Sequence, residues 1–163
     1  MKKLLLSCLV AVTAISFSCE AQPSPRVNAE GKDVKISYGQ PSKKGREIFG
    51  KLEPFGKVWR GGANEATEIT FAKDTKFGGK EVKAGTYTLF ITPNQNEWTV
   101  ILNSELKQWG AYKYEEIKGK DVLNVTVPVK KLDNVVEKLT YRFDDKNALI
   151  IEWDQTQARV PLG

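Results

Sequence analysis

From Val34 onward, apolar and polar residues alternate with period two at short intervals, the pattern of strands with one buried face. Val34, Ile36 and Tyr38 alternate first, followed by Ile69 and Phe71. Tyr87, Leu89 and Ile91 come next within GTYTLFITP, then Trp98, Val100 and Leu102 within EWTVILN. Leu123, Val125 and Val127 continue the series, as do Leu139, Tyr141 and Phe143, and it ends with Leu149, Ile151 and Trp153. Thr, Asn, Lys, Glu or Arg fills many intervening positions, as an outer face in water requires. Turn residues separate the runs. Gly78-Gly79 and Ala84-Gly85 bracket a short segment, while residues 93–96 (PNQN) and 144–147 (DDKN) close hairpins. No long stretch has helical periodicity, although 44–50 and 104–109 allow one turn each. About eight to ten strands at this spacing predict an all-β fold: an antiparallel two-sheet sandwich of jelly-roll or immunoglobulin-like type, with an open β-barrel as the alternative. Residues 110–121 (GAYKYEEIKGKD) form the longest segment without a strand pattern, and such loops often carry function.

The 163 residues suit one domain behind an export segment. Lys2-Lys3 precede an apolar stretch, Leu4 to Phe17, that falls short of the roughly 20 residues of a membrane span. Residues 1–18 therefore read as a signal peptide, residues 19–32 as a polar tether with Pro23, Pro25 and Gly31, and residues 33–163 as a single β-sandwich domain. Cys8 lies in the segment removed, so the mature chain keeps at most Cys19 and has no disulfide of its own. Cys19 after Ser16-Phe17-Ser18 is similar to a lipoprotein processing site, where the thiol is acylated. Cleavage after Ala21, leaving Gln22 as the new terminus, is the competing reading. Either way the protein is expected to be exported, to the periplasm or outer membrane, and its contact with membrane is expected through a lipid anchor only.

Residues 1–18 hold two lysines and no acid, so the formal charge falls from +5 to +3 on their removal. That charge is mild, and with export it makes nucleic acid an unsuitable partner. The chain contains no histidine. The commonest metal ligand and the usual base near neutral pH are thus missing, and Ser–His and Cys–His nucleophile systems are excluded. No cofactor and no metal site is expected.

The stretch VWRGGANEAT (58–67) concentrates recognition chemistry. Trp59 offers a flat apolar platform, Arg60 a planar fork for a carboxylate, sulfate or phosphate, and Asn64 a donor and an acceptor. The same residues suit a bulged strand end, with Trp59 filling the core and Gly61-Gly62 allowing the turn. Trp109 and Tyr112, in WGAYKYEE, give a second aromatic group in the long loop. Glu115 and Glu116 are acid and base candidates, but adjacent residues of an extended segment point opposite ways; Glu65 and Glu68 are the other carboxylates considered. Lys43, Lys44 and Arg46 form a short basic run that suits either a polyanion or a solvated loop. Residues 144–147 carry too few oxygens for calcium and suit a hairpin turn better. Asn124-Val125-Thr126 matches a glycosylation sequon, but within a strand.

On PSKKGREIFGKLEPFGKVWRGGANEAT (41–67), KAGTYTLFITP (83–93), EWTVILN with QWGAYKY (97–114) and IIEWDQTQARVPL (150–162), the chain resembles the bacterial family called domain of unknown function 2911. Members generally show Trp-Arg-x-Gly-Ala-Asn, which Trp59, Arg60, Gly62, Ala63 and Asn64 match with Gly61 at the variable place. The resemblance implies a Bacteroidetes-type secreted or lipid-anchored envelope protein with one β-rich domain, and no established activity, substrate or catalytic residue. The expected function is therefore a non-enzymatic binding module for a polar or anionic envelope ligand, glycan or peptide. Trp59, Arg60 and Asn64 would form one wall of its cleft, and Trp109 and Tyr112 a second. The alternatives are a carboxylate-dependent polysaccharide hydrolase or lyase, and a scaffold subunit that docks to envelope proteins.

Overall fold

The computed structural model describes residues 23–163, so the expected signal peptide and Cys19 lie outside the described residues. Nine strands follow in chain order: β1 Arg26–Gly31, β2 Val34–Gly39, β3 Thr67–Phe71, β4 Thr75–Phe77, β5 Lys80–Val82, β6 Gly85–Pro93, β7 Glu97–Asn103, β8 Asp121–Phe143 and β9 Ala148–Pro161. A single helical turn, α1 Tyr114–Ile117, runs into a 3-10 turn at Lys118–Lys120. Seven strands make one antiparallel sheet in the order β1-β2-β3-β6-β7-β8-β9, and β4-β5 make a small second one. The all-β antiparallel class is as the periodicity predicts, in the form of a curled main sheet between a sandwich and a half-barrel. No helix of the described residues is long and apolar enough to cross a membrane.

β8 produces the curl. Its first part pairs with β7 up to Pro128, opposite Glu97, and from Val129 its ladder is with β9. Pro128 has no N–H and stands where the strand leaves one partner for the other, a position proline tolerates. Pairing with β9 then shifts between Lys131 and Val136, so residues 132–135 bulge from the ladder. The segment after β2 closes on the far half of β8: the Lys43 N–H donates to the Glu137 carbonyl at 2.7 Å, and the Leu139 N–H to the Pro41 carbonyl at 3.0 Å. The two margins of the sheet are thereby brought together.

β1 occupies residues that composition assigns to the tether. All six pair with β2, from Arg26 opposite Gly39 to Gly31 opposite Val34, and Val27 and Ala29 pack on the core. Two small apolar side chains give too weak an alternation to stand out between polar neighbours. The strand exists because β2 offers it an edge.

The inward residues of the period-two runs form one core, in which Ile36, Ile69, Leu89, Trp98, Val100, Leu102, Leu139, Leu149 and Ile151 are fully buried. At its centre Trp59 stacks on Trp153 at 5.9 Å between ring centroids, with Trp98 6.5 Å and Phe49 6.0 Å from Trp59. A smaller cluster lies on the opposite face, where Ala66, Phe90 and Ile101 are covered by Val58, Ala111, Tyr114 and Ile117. The unbroken apolar runs LFI and VIL in β6 and β7 are the sequence trace of strands covered on both faces.

The 144–147 segment is the hairpin turn that its composition suggests. Asp144 Oδ1 accepts the N–H groups of Lys146 and Ala148, and Oδ2 accepts Arg159 Nε. These bonds, led by that from Ala148, hold the Asp144 carboxyl below its usual range and occupy the oxygens that a cation would need.

Candidate functional site

Trp59 exchanges two backbone hydrogen bonds with Ile91 of β6, at 2.7 and 2.9 Å, and so adds one residue to the sheet. The chain then doubles back, and the Thr67 N–H donates to the Arg60 carbonyl as β3 begins. Between these points the glycine carbonyls are tied down by side chains. Gly61 O accepts the Tyr141 hydroxyl at 2.6 Å and Thr67 Oγ1 at 3.0 Å. Gly62 O accepts the Trp59 indole N–H at 3.2 Å and Arg60 Nε at 3.1 Å. Asn64 sits in the left-handed region at φ 63, which asparagine tolerates, and its side-chain amide donates to Ser24 O at 3.1 Å. The stretch is thus a structural corner: the Trp59 indole is in the core, 4% exposed, and Asn64 holds the incoming chain.

The long loop meets this corner. The Ala66 N–H donates to Gln108 O at 2.8 Å, and the Gly110 N–H to Asn64 O at 3.1 Å. Gly110 permits the approach, because a Cβ there would lie 2.6 Å from the Tyr112 ring and 3.1 Å from Arg60 Nη1. Buried Asn103 and Thr88 pin the loop from below: Asn103 Nδ2 donates to Ile117 O and Asp121 Oδ1, and Thr88 Oγ1 to Glu105 O. Tyr114 packs edge-on against Phe90 and donates its hydroxyl to Asp121 Oδ2 at 2.6 Å; burial and that acceptor push its pKa up.

A cleft of about 200 Å³ opens between corner and loop, lined by Glu53, Val58, Trp59, Arg60, Ala111 and Tyr112. Trp59, Arg60 and Tyr112 therefore share one site, to which Trp59, 4% exposed, gives little surface. Asn64 and Trp109 do not line it. Asn64 is turned to Ser24, and Trp109 stands 62% exposed on the outer side of the loop, its backbone bridged to Glu65.

Glu53 is the residue that motif reasoning does not find. It is set by a one-bridge turn, its N–H donating to Ile48 O and its carbonyl accepting Gly50 N–H, both at 2.9 Å. Burial raises its carboxyl from the usual 4.5 to about 7, against the lowering pull of Arg60 and Arg46. Among the described residues that carboxyl has no hydrogen-bond partner and no ion pair, and Arg60 engages Gly62 O through Nε alone. An acid and a guanidinium thus line one cleft without closing on each other. The spacing in KLEPFGKVWR gives no hint of it, since the pairing is made by the turn.

The other candidates are engaged elsewhere or exposed. Glu65 lies 3.9 Å from Arg26, Glu68 Oε1 accepts the Lys107 N–H, Glu115 pairs with Lys118 at 2.7 Å, and Glu116 is exposed on α1. In the basic run, Lys43 Nζ binds Asp154 and the Arg46 carbonyl, and the Arg46 guanidinium binds the carbonyls of Lys43 and Ser42. Two of its three cations therefore brace their own loop.

Arg60→Ala removes one hydrogen bond and no ion pair, so denaturant unfolding should show a loss of about 1 kcal/mol or less. Glu53 binds its proton more tightly in the folded than in the unfolded chain, so between pH 4.5 and about 7 its ionisation destabilises the fold. Stability should fall as pH rises through that window, by at most about 3 kcal/mol before solvent screening and by less after it. Glu53→Gln should flatten this part of the pH profile; an unchanged slope would refute the placement of the acid.

No curated protein and no solved structure matches the chain. The family model described as "Protein of unknown function (DUF2911)" matches residues 21–162, nearly the whole length, and the chain belongs to that family.

Proposed function

We propose that the protein is an exported, non-enzymatic binding module of the cell envelope, and that the cleft at Glu53, Arg60 and Tyr112 is its ligand site. The observation that carries this reading is the guanidinium left with free Nη groups beside a half-buried acid with no partner. A bound group that brings an acceptor to Arg60 and a donor to Glu53 would complete both, with a flat face against the Tyr112 ring. Short peptides and glycan fragments with a carboxylate have this chemistry, and a cleft of about 200 Å³ takes a group the size of one residue.

Binding is favoured over hydrolysis because Glu53 is the only carboxyl among the residues lining the cleft, whereas cleavage of a glycosidic bond generally uses two. Calorimetric titration with carboxylate-bearing peptides and uronic-acid oligosaccharides tests the reading. Arg60→Ala should weaken any ligand found by about tenfold or more. Equal affinities for wild type and variant would move the site elsewhere, and turnover lost in Glu53→Gln would make the protein an enzyme instead.

A further inference from the structure

We propose that the outer side of the long loop, with Leu106, Trp109 and Tyr112 at its surface, is a membrane-contact face on which the domain rests against a lipid bilayer. Three of the four tryptophans are 0–4% exposed, whereas Trp109 is 62% exposed, with Tyr112 at 78% and Leu106 at 37%. Large amphipathic rings held in water mark an interaction surface, and tryptophan and tyrosine are the side chains that settle at the headgroup level of a bilayer. Their exposure is not that of a loose segment. Backbone bonds from Ala66 to Gln108 and from Gly110 to Asn64 flank Trp109, and the Lys107 N–H is held by Glu68.

The point at which the chain enters the domain favours a membrane over other occupants. Asn64 joins the two: its side chain holds Ser24 O, and its carbonyl holds Gly110 N–H, next to Trp109. Cys19 stands five positions before Ser24, a reach of at most about 18 Å in extended chain. Acylation of Cys19 would therefore place this loop toward the lipid. The charge around the rings is mixed. The Lys107 N–H is bonded to Glu68, Glu65 is bridged to Trp109 and the Glu116 N–H is bonded to Lys113 O, while Lys118 and Lys120 pair with Glu115 and Glu105. The contact is thus made by ring insertion, with little dependence on headgroup charge. The orientation draws on the acylated form; the face shares Tyr112 with the margin of the cleft, while Leu106 and Trp109, which carry the test, do not line it.

The exposed indole is its own probe. The full chain is mixed with vesicles of phosphatidylcholine whose acyl chains are brominated near the headgroup, with and without phosphatidylglycerol, and tryptophan emission is followed. The red-edge component, which comes from Trp109, should be quenched and shift to the blue in both vesicle types and in high salt. Leu106→Ala with Trp109→Ala in a Cys19→Ser background, where no acyl chain can hold the protein, should lower co-sedimentation with vesicles at least about tenfold relative to Cys19→Ser alone. The same pair should leave the unfolding midpoint in place, and Arg60→Ala should leave co-sedimentation unchanged, which separates this face from the cleft. An unquenched Trp109, binding that needs anionic lipid and vanishes in salt, or emission that responds to glycan or protein while vesicles are silent would each overturn the proposal.

Discussion

Gly39→Ala is expected to abolish folding of the domain or to cost more than about 4 kcal/mol, well beyond an ordinary point substitution. Gly39 ends β2 and is buried. A Cβ built there would overlap the Ala63 carbonyl oxygen and lie 2.8 Å from its carbonyl carbon. From the other side, a Cβ on Gly62 would lie 2.8 Å from Gly39 O. Two backbones therefore cross with no side chain between them, and the Ala63 N–H donates to Gly39 O at 3.1 Å across the contact. The obstruction is main chain that is itself fixed by Tyr141, Thr67 and the Trp59 indole, so it cannot swing aside as a flexible side chain would. Gly119→Ala is the matched control, because a Cβ there meets nothing within 4 Å. It should change stability by less than about 1 kcal/mol. Urea titration of both variants settles the matter: similar midpoints would mean that the two backbones do not cross as closely as described.

That crossing also marks where sequence reasoning reaches its limit. Period two identifies the core because burial of alternate side chains is local: each of Ile36, Leu89, Trp98, Leu139 and Ile151 can be placed from its neighbours in the chain. The extent of β8 cannot. The alternation breaks off after Val127 and resumes only at Leu139, yet the backbone runs on between them because β7 serves one half and β9 the other. Whether Trp59 faces ligand or core is equally undetermined by its neighbours in the chain, since an indole suits either. The outcome depends on Phe49, Trp98 and Trp153, which arrive from far along the chain. Glu53 is the clearest case. Its raised pKa comes from burial in a cleft that forms only when residues 111–112 pack beside 58–60. Arg60 and Tyr112 were legible as residue types, while their common cleft rests on the Asn64–Gly110 bond between segments 46 positions apart.

Trp59→Ala should cost about 3–5 kcal/mol, the range for deleting a large aromatic from a packed interior. The side chain is 4% exposed, lies 19° from parallel to Trp153 and meets Phe49 and Trp98 edge-on, so its removal leaves three rings facing a void. Its N–H also disappears from Gly62 O, although Arg60 Nε still serves that carbonyl. Trp59→Phe keeps an aromatic and gives up that hydrogen bond and part of the ring, and should lose roughly half as much. Trp109→Ala, which removes a side chain already 62% exposed and outside both core clusters, should shift stability by no more than about 0.5 kcal/mol. Emission distinguishes the two positions independently of stability. Trp109→Ala should remove the red-edge component of the folded protein, whereas Trp59→Ala should leave it and subtract from the blue. A Trp59→Ala loss of less than about 1 kcal/mol would mean that this indole is not anchored in the core. The cleft wall at Arg60 depends on that anchor, because residues 59 and 60 are positioned together by the bonds to Ile91, Thr67 and Gly62. Ligand binding should therefore weaken in Trp59→Ala even where the protein remains mostly folded, and it should survive in Trp59→Phe.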